Sequence, residues 1–116
     1  MKRSQALYIK DIKDAIEAAI KFTNNMTYDE FNTDDKTLSA VIRKLEVIGE
    51  AVKNLSIDIT SSTSDIPWSI MARMRDKLIH GYFGVDIAII WRTVKEELPD
   101  ILPLIIKLYN QNKNDT

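Results

Sequence analysis

The sequence predicts an all-α protein, an antiparallel bundle of four long helices plus a short one, with the last helix kinked at Pro99. Three observations predict it. Only three glycines and three prolines punctuate 116 residues, leaving few strand-and-turn signals. Apolar residues recur at intervals of three and four nearly everywhere. Capping residues stand just ahead of the apolar stripes. Ile9, Ile12, Ile16, Ala19 and Ile20 mark a first helix from about Ser4 to Asn25. Thr27-Tyr28-Asp29-Glu30 reads as a capping box that opens a short turn of helix. Thr33 or Asp34 can cap a second long helix, with Asp34 and Asp35 where the helix dipole favours them. Its stripe is Leu38, Val41, Leu45, Ile48, Val52 and Leu55. Gly49 lies at the edge of that stripe, where a missing side chain lets another helix approach closely, at a propensity cost of up to about 1 kcal/mol. Ser56 to Asp65, rich in serine and threonine, is expected to be a loop. Ile66-Pro67-Trp68 opens a third long helix, with proline early enough that its missing N–H is not needed. That helix should run out at Gly81 to Gly84. Asp86 caps the last helix, carrying Ile87, Ile90, Trp91, Val94 and Leu98, and then Ile101, Leu102, Ile105 and Leu108 beyond a kink or break at Pro99 and Pro103. The polar residues 110–116 should fray.

The length suits a single domain, residues 1–116, able to bury a core without staples. With 45% hydrophobic and 28% charged residues the composition is that of a globular protein. No cysteine and one histidine exclude a disulfide framework and a histidine-rich zinc site, so no metal and no cofactor are expected. The apolar run Ala6 to Ile9 behind a basic start is too short for a signal peptide and is closed by Lys10 and Asp11. No stretch approaches the roughly 20 apolar residues that span a bilayer. A cytoplasmic protein without membrane partners is the expectation.

Net charge is −1 and the pI about 5.8, so no global field draws nucleic acid to this chain. Contact with RNA would need a local concentration of cations, and Arg73, Arg75 and Lys77 supply the best candidate. They lead into Arg75-Asp76-Lys77-Leu78-Ile79-His80-Gly81-Tyr82, which holds the chain's only histidine. An unconditional cation near an imidazole suits phosphoryl chemistry, where charge must be stabilised and protons moved. On a regular helix Arg75 and His80 are about 140° apart, whereas Arg73 and His80 differ by about 20°. Either the helix loosens before Gly81, or the site is assembled from two chains. Cleaving RNA through its own 2′-hydroxyl takes a base and an acid, and one histidine per chain supplies half of that. A two-fold dimer would supply both. Simpler roles compete: His80 as a helix cap, Arg75 in an ion pair, Tyr82 as a packed ring beside Met71, Met74 and Leu78. Trp68 and Trp91 read as core or interface anchors, and Glu46 and Glu50 beside Arg43 as a solvated or intersubunit charged row.

The chain resembles HEPN-domain toxins of the HepT type, partners of a minimal nucleotidyltransferase antitoxin. Their motif is arginine, four to six residues, histidine, one residue, tyrosine, with a polar residue after the arginine. Arg75, Asp76, His80 and Tyr82 fit it, and Arg73 fits the six-residue spacing. The likeness extends to Arg43-Lys44-Leu45-Glu46-Val47-Ile48-Gly49-Glu50-Ala51, to Ile66-Pro67-Trp68, to Gly81-Tyr82-Phe83-Gly84-Val85-Asp86 and Trp91, and to Glu97-Leu98-Pro99. The resemblance implies a HEPN-like homodimer and a metal-independent RNA endonuclease leaving 2′,3′-cyclic phosphates, with tRNA the favoured substrate. Arg75 and His80 would be catalytic, with Arg73, Asp76 and Lys77 in support. It also implies a toxin neutralised when the antitoxin transfers AMP to Tyr82, a bulky anion that would block a phosphate site. Asp76 stands where many members carry asparagine, which suggests that it orients Arg75 or His80. The competing class is a non-catalytic subunit that presents substrate or nucleotide to a nucleotidyltransferase.

Overall fold

The computed structural model describes residues 3–80 and 86–114, apart from the side chains of Ile79 and His80. All regular structure among them is helical. Ser4 caps α1 (Gln5–Phe22) by accepting the Leu7 N–H. The chain leaves α1 through a turn in which Asn25 takes a left-handed φ of 62°, a conformation asparagine tolerates better than most residues. The capping box at Thr27 forms in full: its hydroxyl accepts from the Glu30 N–H while the Glu30 carboxylate accepts from the Thr27 N–H. This starts the one-turn α2 (Tyr28–Asn32), which exists to place Phe31, fully buried, beneath Trp91 at 5.2 Å between ring centroids. Of the two expected caps for α3 (Asp35–Lys53), Asp34 is the one that accepts from Thr37.

Two elements differ from expectation. Ser56 to Asp65 is not all loop. Ser56 caps a short helix, α4 (Ile57–Ser62), and none of its side chains is buried. No apolar stripe announces such a helix; hydroxyls bonding back to carbonyls, such as Thr63 to Ile59 at 2.7 Å, shape it instead. Of the kink or break expected at Pro99 and Pro103, the break does not occur, and the helix carries on past both prolines. After α6 (Ile87–Arg92), capped by Asp86, the chain passes through a π turn over Thr93–Glu97 and continues as α7 (Leu98–Asn112). The Leu98 N–H reaches back five residues to the Thr93 carbonyl. That wider turn sits where the Pro99 ring would otherwise crowd a carbonyl four residues earlier. Pro103 is carried inside α7, which extends the helix into the first residues of the polar tail.

Between these lies α5 (Trp68–His80). The stretch from Gly81 to Val85, where that helix was expected to end, lies outside the described residues. α3 is the central strut, packed against α1 on one side and α5 on the other, while α7 lies along α1. The core is the set of stripes read from the sequence: Ile9, Ile12 and Ile16 of α1, Val41, Leu45 and Ile48 of α3, and Met71 and Leu78 of α5. From the last helices come Ile90, Val94, Leu98 and Ile105. Trp68 is nearly buried, and its indole N–H donates to the Thr63 hydroxyl at 2.9 Å, tying the α4 turn to the start of α5. No described helix is long and apolar enough to cross a membrane.

Two carboxylates tie this fold to pH. Hydrogen bonds from the Thr37 backbone and hydroxyl hold Asp34 below the ordinary carboxyl value of 3.8, and the Lys53 ammonium does the same for Asp76. Each folded pKa lies below its unfolded counterpart. The stabilisation is therefore complete above the unfolded value and is lost as pH falls through the depressed folded values. Urea midpoints should be level near neutrality and fall below about pH 4; Asp34→Asn should flatten that acid fall.

Candidate active site

The site grows from the way α5 rests on α3. A Cβ built on Gly49 would lie 2.1 Å from Arg75 Cβ, 2.9 Å from its Cγ and 3.1 Å from the Met71 carbonyl oxygen. The close approach expected at Gly49 is thus made by α5, and the residue seated there is Arg75. Its stem crosses the α3 backbone, and its head emerges partly exposed. Arg75 Nε is buried and has no hydrogen-bond acceptor among the described residues, so one donor of a permanently charged group is uncommitted. Nη1 lies 3.4 Å from Asp76 Oδ1, a long contact.

Asp76 is the junction of the cluster. The same Oδ1 accepts from Lys53 Nζ at 2.5 Å. This charge-assisted bond is the main reason the Asp76 carboxyl sits below its ordinary range, with Arg75 adding a smaller contribution. Asp76 is therefore ionised near neutral pH: it can accept and orient, and it cannot serve there as a proton donor. Lys53 was not among the residues singled out from sequence. Its signal was available, since it stands one turn beyond Gly49 on the same face of α3.

Arg73 and Lys77 do not join Arg75. They are exposed and line a groove of about 310 Å³ between α5 and α6 with Ile70, Met74, Ile89 and Glu97. The expected trio of cations is split across two faces, because residues two apart on a helix point about 160° away from each other while residues four apart nearly coincide. α5 stays helical through His80, so the backbone does not loosen to turn Arg75 and His80 the same way. The His80 imidazole and all of Tyr82 lie outside the described residues. Arg43 pairs with Glu46 at 3.6 Å, and Glu50 is exposed. Arg43 and Glu50 border a separate polar cavity of about 450 Å³ between α1 and α3, with Arg3, Tyr8, Asp11 and Asn54. Glu50 is solvated, and Glu46 is half-buried beside Arg43. Among the described residues no cluster of three or more histidine, cysteine or acidic side chains is placed to hold a metal ion.

Residues 12–108 match the family model described as "Ribonuclease HepT-like". The chain belongs to the HepT-like ribonuclease family. A protein of Thermococcus cleftensis named "Probable ribonuclease HepT" is 52% identical over 87% of this chain and 92% of its own length. Two proteins of Methanocaldococcus jannaschii bear provisional RNase names. One is 50% identical over 85% of this chain and 82% of its own length, the other 47% over 86% and 83%. No solved structure matches significantly. In this HepT-like chain the family match embraces the whole Gly49–Arg75–Asp76–Lys53 cluster.

Proposed function

We propose that this chain is a metal-independent endoribonuclease, the toxin of a toxin–antitoxin pair, cutting tRNA in the cytoplasm through Arg75 and His80. The observation that carries the reading is Arg75. It is anchored over Gly49 with its head partly exposed, beside an ionised Asp76, on the helix that runs to His80. Membership in a ribonuclease family gives that arrangement its substrate.

The chemistry needs no metal. A base removes the proton of a ribose 2′-hydroxyl, and O2′ attacks the adjacent phosphorus. The bond from phosphorus to the 5′-oxygen breaks, and an acid protonates that oxygen as it leaves. The products are a 2′,3′-cyclic phosphate and a 5′-hydroxyl. Arg75 stabilises the added negative charge on the phosphorane-like transition state. His80, whose side-chain type exchanges protons near neutrality, is base or acid. Asp76 holds the guanidinium, while Arg73 and Lys77 offer phosphate contacts along the neighbouring groove.

Two histidines are needed at once, and a helix unbroken through His80 turns Arg75 and His80 about 140° apart. Both facts favour a homodimer in which the guanidinium of one copy meets the imidazole of the other. Mixing wild-type protein with an excess of His80→Ala protein should then lower cleavage per wild-type chain, since each mixed dimer holds a single histidine; cleavage that stays in proportion to the wild-type protein would contradict a shared site. A cognate nucleotidyltransferase would neutralise the toxin by adding AMP to Tyr82, two residues from His80.

Expression of the wild type alone in bacteria should arrest growth, and His80→Ala at equal soluble level should not. Equal growth of the two would speak against the toxin. Partner binding without RNA cleavage by the wild type would favour a non-catalytic subunit.

A further inference from the structure

We infer that Lys53 is a positioning residue of this ribonuclease, acting through Asp76 to fix the Arg75 guanidinium; the inference rests on the catalytic reading of Arg75. α3 grips α5 at two points one turn apart. Gly49 receives the stem of Arg75, and Lys53 takes the carboxylate of the next residue. The stem contact sets where the Arg75 side chain begins, and leaves the rotation of its far end free. Among the described residues Asp76 is the charged group that touches that far end, at 3.4 Å, and its own carboxylate is held by the short bond from Lys53 at 2.5 Å. The chain of contacts runs Lys53 to Asp76 to Arg75, with both cations on a single oxygen, Asp76 Oδ1.

The geometry argues against a merely structural ion pair. The Lys53 and Asp76 side chains are 39% and 46% exposed, and exposed pairs contribute little to stability. Transition-state stabilisation responds to far smaller displacements than folding does. The long Arg75–Asp76 contact is also what a transferable donor requires. Asp76 aims the guanidinium without saturating it, leaving the remaining Nη N–H groups for phosphate oxygens. Without Lys53, Asp76 would turn more fully onto Arg75 and pull the guanidinium from its aimed position.

The test is steady-state cleavage of a defined RNA oligonucleotide by full-length wild type, Arg75→Ala, Lys53→Met, Lys53→Arg, Asp76→Asn and the Lys53→Met/Asp76→Asn double variant. Lys53→Met keeps the aliphatic stem, and its melting temperature should fall by no more than the small contribution of an exposed ion pair. Its kcat should fall by about 10- to 100-fold with KM little changed, the size expected of misplacing a catalytic group. Lys53→Arg should recover most of the loss, and the double variant should be no worse than Asp76→Asn alone. Losses that multiply in the double variant, or a raised KM with unchanged kcat, would show that Lys53 binds RNA by itself and overturn the inference. Cleavage by Lys53→Met equal to wild type would overturn it too, leaving the ribonuclease reading intact. A wild type that cannot cleave, or cleavage undiminished in Arg75→Ala, would overturn both.

Discussion

Arg75→Ala should lower RNA cleavage by about 100- to 1,000-fold, the usual cost of removing a preorganised donor from a developing oxyanion. His80→Ala should cost about 100- to 10,000-fold, the range for losing general acid–base catalysis. The Arg75 head is partly exposed and, among the described residues, makes one long ion contact, so its truncation should leave the fold in place and the loss should appear in kcat. Arg75→Lys should recover little. A lysine ammonium reproduces the charge but not the planar fork of N–H donors that matches a phosphate. Single-turnover cleavage of one RNA by the four proteins, alongside their circular dichroism, checks this. Near-wild-type rates in either alanine variant would remove that residue from catalysis.

Gly49→Ala should damage both stability and activity, although alanine is the better helix former by about 1 kcal/mol. The added methyl would lie 2.1 Å from Arg75 Cβ, an atom bound directly to the α5 backbone, and 3.1 Å from the Met71 carbonyl oxygen. Neither neighbour can escape by changing rotamer, so α3 and α5 must move apart. Overpacking of this kind costs about 1–3 kcal/mol, which exceeds the gain in propensity. The same shift displaces Arg75 and stretches the Lys53–Asp76 bond, so cleavage should fall further than the loss of folded protein explains. Denaturant midpoints and kcat measured on one preparation separate the two effects. A Gly49→Ala protein as stable and as active as the wild type would mean that α5 does not lie where the geometry puts it.

The long helices were legible because a stripe repeated over four or five turns is hard to mistake, and Ser4, Asp34 and Asp86 announce their starts. Gly49 was legible as a point of close approach, because glycine within a helix has a propensity cost that a tight crossing explains. What crossed it was not, since helix pairing is tertiary information. The place of Lys53 one turn beyond Gly49 is legible in the sequence, but its partner is not: Asp76 lies 23 residues away on another helix. The α4 turn escaped because hydroxyl-to-carbonyl bonds leave no hydrophobic period. At Pro99 the sequence marks a disturbance but not the π turn that absorbs it. Arg73, Arg75 and Lys77 are close in sequence, but the helix's own geometry sets Arg75 on a different face from Arg73 and Lys77.

The most direct measurement is the termini left on a defined tRNA by the purified protein in excess EDTA. A 2′,3′-cyclic phosphate and a 5′-hydroxyl should appear with the wild type and vanish with His80→Ala. Products that require a divalent cation, or that carry a 3′-hydroxyl and a 5′-phosphate, would contradict a site built from a guanidinium and an imidazole.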